Sequence, residues 1–537
     1  MQPCIGRPLL IRGTMPHNPI LRGFNADPSI CRVGDDYYIA VSTFEWYPGV
    51  QIHHSTDLVN WRLVCRPLRR PSQLDMRGNP DSCGVWAPCL SHADGRFWLV
   101  YTDVKRLDGA FKDAHNYIVT CDTIDGDWSD PTYVTSSGFD PSLFHDDDGR
   151  KWFLNMRWNH RGKGTGLNPA HDSFDGIELQ EWHPERGLLG EVQTIYTGTP
   201  LGLTEAPHLF KRNGWYYLTT AEGGTGYEHA VTMARSRHIT GPYETHPNQH
   251  LMTARFAPDA PLQRVGHGQY VETPDRRAFH TFLCGRPLPP NFCALGRETG
   301  LAACVWRDDW LYLADGGLVP PLDLPLDVAR LPDAPVHHAF THTLPDDFQW
   351  LRTPQPERLF ALTGHSLRLT GRESIGSWFE QSLVARRQQH HAYRAETTLL
   401  ADPPNWQRAA GLTTYYNRTK FHAALVTREA GARVVQIVSC LGDWPGEGLT
   451  FHATQPAPDG PLSLGVQVGG VHQQFTLNGA PIGPALDAGL ISDEGGRGEH
   501  ASFTGAFVGM IAYDLTGQGW QADFTTFDYF PGATVST

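Results

Sequence analysis

The sequence predicts an all-β chain, a five-bladed β-propeller followed by an antiparallel β-sandwich, and three observations carry that prediction. The first is a repeat. Phe24-Asn25-Ala26-Asp27-Pro28-Ser29-Ile30 opens a pattern of an acidic or aromatic residue, Pro, one residue, an aliphatic, a polar turn and an aromatic-rich strand, here Tyr37-Tyr38-Ile39-Ala40-Val41. The pattern returns as Trp86-Ala87-Pro88-Cys89-Leu90, Asp140-Pro141-Ser142-Leu143 and Glu205-Ala206-Pro207-His208-Leu209, with a degenerate fifth copy at Gly266-His267-Gly268-Gln269-Tyr270-Val271. The copies lie about 60 residues apart, longer than a helical solenoid repeat and right for a propeller blade with generous loops. The second observation is composition: 55 Gly and 41 Pro suit many short strands joined by turns, and 40% hydrophobic content excludes a disordered chain. The third is that helical periodicity of any length is absent, while alternating segments continue to the end of the chain.

In order along the chain, residues 1–16 read as an amino-terminal extension without a counterpart in the repeat, interrupted by Arg and Pro and so lacking the apolar core of a secretion signal. Residues 17–318 read as the propeller. The first blade closes on Ser55-Thr56-Asp57-Leu58-Val59-Asn60-Trp61, the second on Gly126-Asp127-Trp128, and the fourth on Gly241-Pro242-Tyr243. The third carries Gly162-Lys163-Gly164-Thr165-Gly166, which opens no helix after a strand and is therefore a loop and not a phosphate cradle. Residues 319–345, rich in Pro and Asp, read as an extended linker. Residues 346–537 read as the sandwich, from alternating segments such as Ala392-Tyr393-Arg394-Ala395-Glu396-Thr397 and Val434-Val435-Gln436-Ile437-Val438.

A formal net charge of −13, spread without a long run, disfavours nucleic acid, and no stretch is long and apolar enough to span a membrane. The ten Cys are scattered without C-x-x-C pairs, which predicts reduced thiols in a cytoplasmic protein. The His pairs at 53–54, 337–338 and 390–391 lack partners at metal spacing and read as structural. Gly364-His365-Ser366-Leu367-Arg368 lacks the last Gly of a nucleophile elbow.

If each repeat opens the innermost strand of its blade, the residues beside the prolines converge on one mouth of the channel. Three are carboxylates, Asp27, Asp140 and Glu205, and Trp86 and His267 join them. Glycoside hydrolysis needs one carboxyl held protonated and one held ionised. A third carboxylate beside the acid raises its pKa, so the trio supplies more than turn capping requires.

At this point the phrases Asn25-Ala26-Asp27-Pro28-Ser29-Ile30, Gly84-Val85-Trp86-Ala87-Pro88, Phe139-Asp140-Pro141-Ser142-Leu143, Thr204-Glu205-Ala206-Pro207-His208 and Gly296-Arg297-Glu298-Thr299 resemble glycoside hydrolase family 43, in its β-xylosidase branch. Gln381-Ser382-Leu383-Val384-Ala385-Arg386-Arg387 and Phe503-Thr504-Gly505-Ala506-Phe507-Val508-Gly509 extend the resemblance beyond the propeller. It implies a five-bladed propeller with a concanavalin-like sandwich and an inverting, exo-acting xylan 1,4-β-xylosidase that releases D-xylose from the non-reducing end of xylo-oligosaccharides. By position in the matching motifs, Asp27 is the implied general base, Glu205 the general acid and Asp140 the pKa modulator. Phe44, Trp86, Trp158, His267 and Arg297 are the implied pocket residues, with either Phe503 or Phe507 reaching in from the sandwich.

The resemblance implies no required cofactor. Some members hold a channel cation, for which the place here would be a Ca²⁺ ion near His267, although no carboxylate cage demands one. The expected partners are xylo-oligosaccharides and further copies of the chain, as a dimer or tetramer. Side activity on α-L-arabinofuranosides is expected. The rival readings are an α-L-arabinofuranosidase as main activity, a catalytically silent carbohydrate-binding protein and an endo-arabinanase.

Overall fold

The computed structural model describes residues 16–162, 164–167, 172–442, 448–495 and 502–532. Residues 1–15 of the expected extension and Lys163 of the Gly-rich loop lie outside the described residues. Among these the only helical pieces are two short 3₁₀ turns, Pro356–Arg358 and Ala488–Leu490, and the rest of the regular structure is antiparallel strand.

Five antiparallel sheets make the propeller, four of them four-stranded and the fifth five-stranded. The first pairs Ala26–Val33, Asp36–Ser42, Gln51–Ser55 and Arg62–Cys65 in order. The second runs through Gly84–Ala93 and Arg96–Arg106, the third through Gly138–His145 and Lys151–Trp158, and the fourth through Glu205–Arg212 and Trp215–Glu222. In the fifth, Gln263–Gly266 and Tyr270–Glu272 both pair with Ala278–Gly285, so the degenerate copy is a broken innermost strand. A strand in mid-blade is covered on both faces by the neighbouring blades, which is why Phe97-Trp98-Leu99-Val100-Tyr101 is apolar without alternation and buried throughout.

The ring closes through the residues before the first strand. Asn18 is buried; its side-chain amide donates to the Leu301 carbonyl at 2.8 Å and its oxygen accepts from the Leu301 amide at 2.9 Å. Pro16 already belongs to this closure, because its carbonyl accepts from the Leu324 amide at 2.9 Å. The expected extension is therefore shorter than 16 residues.

The sandwich consists of two eight-stranded sheets facing across a core that includes Leu367, Val384, Leu412, Val466 and Phe524. Two departures from the sequence reading concern its edges. Val336–Ala339, inside the expected linker, pairs with Gln521–Pro531, so that stretch is partly sandwich. Trp46–Tyr47, a dipeptide of the first blade, pairs with Phe348–Leu351 and becomes the edge strand of the second sheet. The indole of Trp46 is fully buried and stacks on Phe507 at 3.6 Å between centroids. Nearby, Arg352 is 1% exposed and donates to Asp81 at 2.7 Å, while burial pushes the carboxyl of the adjacent Glu45 up to about 8. The two halves thus share one apolar seam with a buried ion pair set in it.

Candidate active site

Each innermost strand bends at the same point. Pro28, Pro88, Pro141 and Pro207 offer no N–H to the ladder, and the register slips there, between Ala26 and Ser29, Trp86 and Cys89, Phe139 and Ser142, and Glu205 and His208. The residue before each Pro is driven out of the right-handed helical region. It sits instead at positive φ: 55° at Asp27, 35° at Ala87, 54° at Asp140 and 53° at Ala206, with His267 at 36° in the fifth blade. A left-handed non-glycine residue costs about 1–2 kcal/mol. At these bends Asp27, Asp140 and His267 present their own side chains to one common space, as do Trp86 and Glu205 beside Ala87 and Ala206.

The structure refines the repeat by one residue. Asp27 and Asp140 stand directly before their prolines, but Glu205 stands two before Pro207, in the position that Trp86 holds in its own blade. The three carboxylates are not structural equivalents, yet all line one cavity of about 250 Å³. That is below the roughly 300–1,000 Å³ of sites for drug-sized ligands, and suits a single sugar ring.

Phe44, Trp86, Trp158, His267, Arg297 and Phe503 line the same cavity, with Phe139 and Phe174. The rings form a continuous wall: Phe44 lies 5.8 Å from Trp86, Trp86 5.4 Å from Phe139, and Phe139 6.2 Å from Trp158, between centroids. Phe503, from the sandwich, meets Trp86 edge-on at 6.2 Å. Phe507 is the correction here: it is fully buried in a strand between Trp46 and Phe24 and does not reach the cavity. Four residues further along the chain, it belongs to the seam that seats the Phe503 loop.

Electrostatics separate the three acids. Asp27 is buried, which opposes its charge, but the Arg297 guanidinium at 3.1 Å, the neighbouring His267 and a 2.6 Å hydrogen bond from Ser42 hold its carboxyl below the usual range. Glu205 has no hydrogen-bond partner for its carboxyl among the described residues. Burial and the charge of Asp27 push it up to about 8, against the pull of Arg297 and Lys112. Burial, Glu205 and Asp27 together drive Asp140 well above the ordinary value, although Arg297 and the Ala206 amide oppose this. At neutral pH the site therefore holds an ionised Asp27 facing a proton carried by the Asp140–Glu205 pair, whose titration belongs to both.

Arg297 is the hub. One arm reaches Asp27 and Thr225, at 3.1 and 3.2 Å; the other side of the guanidinium donates to the Phe503 carbonyl at 2.6 and 3.0 Å. Three polar residues that the sequence did not announce also line the cavity: Lys112, Thr225 and His229. His229 is neutral, its ring pKa pulled by burial to about 3. Its Nδ1–H donates to the Arg264 carbonyl at 3.1 Å, which leaves Nε2 as a buried acceptor without a partner among the described residues and suited to a sugar hydroxyl. Lys112 lies over Trp158 at 4.4 Å. No repeat or motif marks these three; only the fold brings them in. His267, buried and facing Asp27 at 3.6 Å, is held toward its neutral form by burial. Among the described residues no group of three or more His, Cys, Asp or Glu is placed to hold a metal ion.

Fold and site together define a glycosidase, and the chain belongs to glycosyl hydrolases family 43. The family's model matches residues 16–311, and that of the β-xylosidase C-terminal concanavalin A-like domain matches residues 339–530. The "Xylosidase/arabinosidase 43B" of Humicola insolens is 55% identical over 535 residues, 96% of either chain. The "Beta-xylosidase" of Bacillus subtilis (strain 168) is 46% identical over 537 residues, 95% of this chain and 99% of that one. The crystal structure of xylan β-1,4-xylosidase from Bacillus halodurans C-125 superposes with a TM-score of 0.90 at 46% identity, over 96% of this chain and 99% of that one.

Proposed function

We propose that this chain is an exo-acting, inverting β-xylosidase releasing D-xylose from the non-reducing end of β-1,4-xylo-oligosaccharides. The observation that carries the reading is one sugar-sized cavity in which Asp27 is bound by Arg297 and Ser42 while the carboxyl of Glu205 has no hydrogen-bond partner among the described residues. Asp27, ionised, takes a proton from water as that water attacks the anomeric carbon. Glu205, protonated, gives its proton to the departing glycosidic oxygen, and Asp140, which titrates with it as a pair, helps to hold and orient that proton. An inverting pair needs about 6.5–9.5 Å between its carboxyls for the water. The aromatic wall packs the sugar's apolar edges, His229 Nε2 accepts from a hydroxyl, and Phe503 limits the cavity to one ring, which favours exo action. These steps use only the chain's own side chains; a Ca²⁺ ion beside His267 is not part of them, and unchanged turnover in a chelator checks this.

The name of the Humicola insolens relative supports side activity on α-L-arabinofuranosides, whose hydroxyls can be presented to the same groups. Homo-oligomeric assembly and a cytoplasmic place belong to the same proposal and are read by light scattering and cell fractionation. The central test is a proton NMR time course with xylobiose. α-Xylose appearing before mutarotation is expected; β-xylose first would make Asp27 a nucleophile, and release only from arabinofuranosides would reverse the order of the two activities.

A further inference from the structure

A cavity larger than the catalytic one lies elsewhere, about 500 Å³ at the junction of the first blade, the 330–347 connection and the sandwich. Five arginines line it, Arg22, Arg66, Arg330, Arg386 and Arg387, against three aspartates. Two of the aspartates are already engaged. Asp333 binds Arg22, and His390 at 3.2 Å; Asp347 binds Arg386 at 2.9 Å and His338 at 3.0 Å. The third, Asp346, is exposed at the rim.

Arg66 and Arg387 have no carboxylate in salt-bridge contact among the described residues, and both guanidiniums donate to the same neutral oxygen, Gln51 Oε1, from Arg66 at 2.8 and 3.1 Å and from Arg387 at 3.0 Å. Arg387 is 6% exposed and its Nη2 has no hydrogen-bond partner among the described residues. His53 beside them is buried and neutral, so it adds no counter-charge. Two adjacent cations, one buried and one half-buried, are costly to hold side by side unless an opposite charge compensates. Burial and the charge of Arg66 pull Arg387 well below the ordinary arginine value, and burial brings Arg66 to about 10 although the charges of Asp346 and Asp347 oppose this.

We propose that this cavity is an anion site, with Arg66 and Arg387 forming a fork for a phosphate- or sulfate-type oxyanion, free or at the end of a small phosphorylated molecule. Paired planar guanidiniums match the oxygens of such a group. The volume exceeds what a bare tetrahedral ion fills, leaving room for the ester. The site does not depend on the reading of the catalytic cavity. Arg387 nonetheless touches the segment leading to Asp27, since its Nε donates to the Phe24 carbonyl at 2.5 Å.

The test is isothermal titration of the full chain with inorganic phosphate and, separately, ribose 5-phosphate, at ionic strength held constant with chloride. Saturable binding at one site per chain is expected, weakened about tenfold or more in Arg66→Gln and in Arg387→Met. Equal affinities assign the site to the free ion; much tighter ribose 5-phosphate assigns it to the ester. Binding of neither ligand would overturn the proposal, and so would binding that survives both substitutions. Arg66→Lys, which keeps the charge, guards against misfolding of the other variants: it retains binding if the site is real.

Discussion

Arg297 shows how one side chain sets the chemistry of another. Its guanidinium offsets the burial of Asp27, so Arg297→Met should raise the Asp27 pKa and move the acidic limb of the kcat/KM profile to higher pH. An unmoved limb would dissociate that limb from Asp27. Asp140 acts in the other direction. The pair gives up its last proton only against the charge of the carboxylate already ionised, so Asp140→Asn should let Glu205 ionise earlier and move the alkaline limb to lower pH. Glu205→Gln removes the proton itself. Hydrolysis of xylobiose should fall by at least about 10²-fold, while aryl xylosides with good leaving groups, which need little protonation, should be largely spared. Equal loss on both substrates would move the acid role away from Glu205.

The strands and loops explain what could be read in advance. Asp27 and Asp140 were legible because an X-Pro step inside an aromatic strand is a bulge with a fixed direction. The offset of Glu205 is visible as Glu205-Ala206-Pro207, but not that Ala206 takes the left-handed position there. Lys112 and His229 come from loops and strand ends that no repeat marks. The choice between Phe503 and Phe507 needed the seam, where Trp46 claims one of them. The Trp46–Tyr47 pairing with Phe348–Leu351 could not be read at all, since it joins segments some three hundred residues apart through backbone bonds that carry no sequence signal. Gly296 makes a prediction at this scale. It sits at a φ of 71°, and a Cβ there would fall 1.9 Å from the Thr504 carbonyl oxygen. Gly296→Ala should therefore cost roughly 1–3 kcal/mol, push the Phe503 loop off the propeller and lower kcat/KM more than Ala substitutions elsewhere on the rim. Chemical denaturation and steady-state kinetics on the same preparation check both effects.

For the molecule as a whole, the seam makes two architectures one cooperative body. Trp46, Phe24 and Phe44 pack with Phe507 and Leu383, and the Arg352–Asp81 pair bridges the halves from within. Urea unfolding followed by tryptophan fluorescence and by far-ultraviolet circular dichroism should give coincident transitions; separated ones would mean that the sandwich unfolds by itself. A chain ending near residue 318 should lose its solubility, because it exposes Trp46 and the apolar patch around it.

The carbonyl of Phe503 has a consequence for the order of events during synthesis. It completes the binding of Arg297, which in turn holds Asp27, so the first acid of the chain waits on one of the last loops to leave the ribosome. At the usual rates of translation that interval is on the order of a minute. A nascent or truncated chain can carry all three carboxylates and still lack the proton arrangement that separates them. Catalysis by this protein should therefore appear only once the Phe503 loop has met the propeller, and a chain ending before that loop is expected to be inactive.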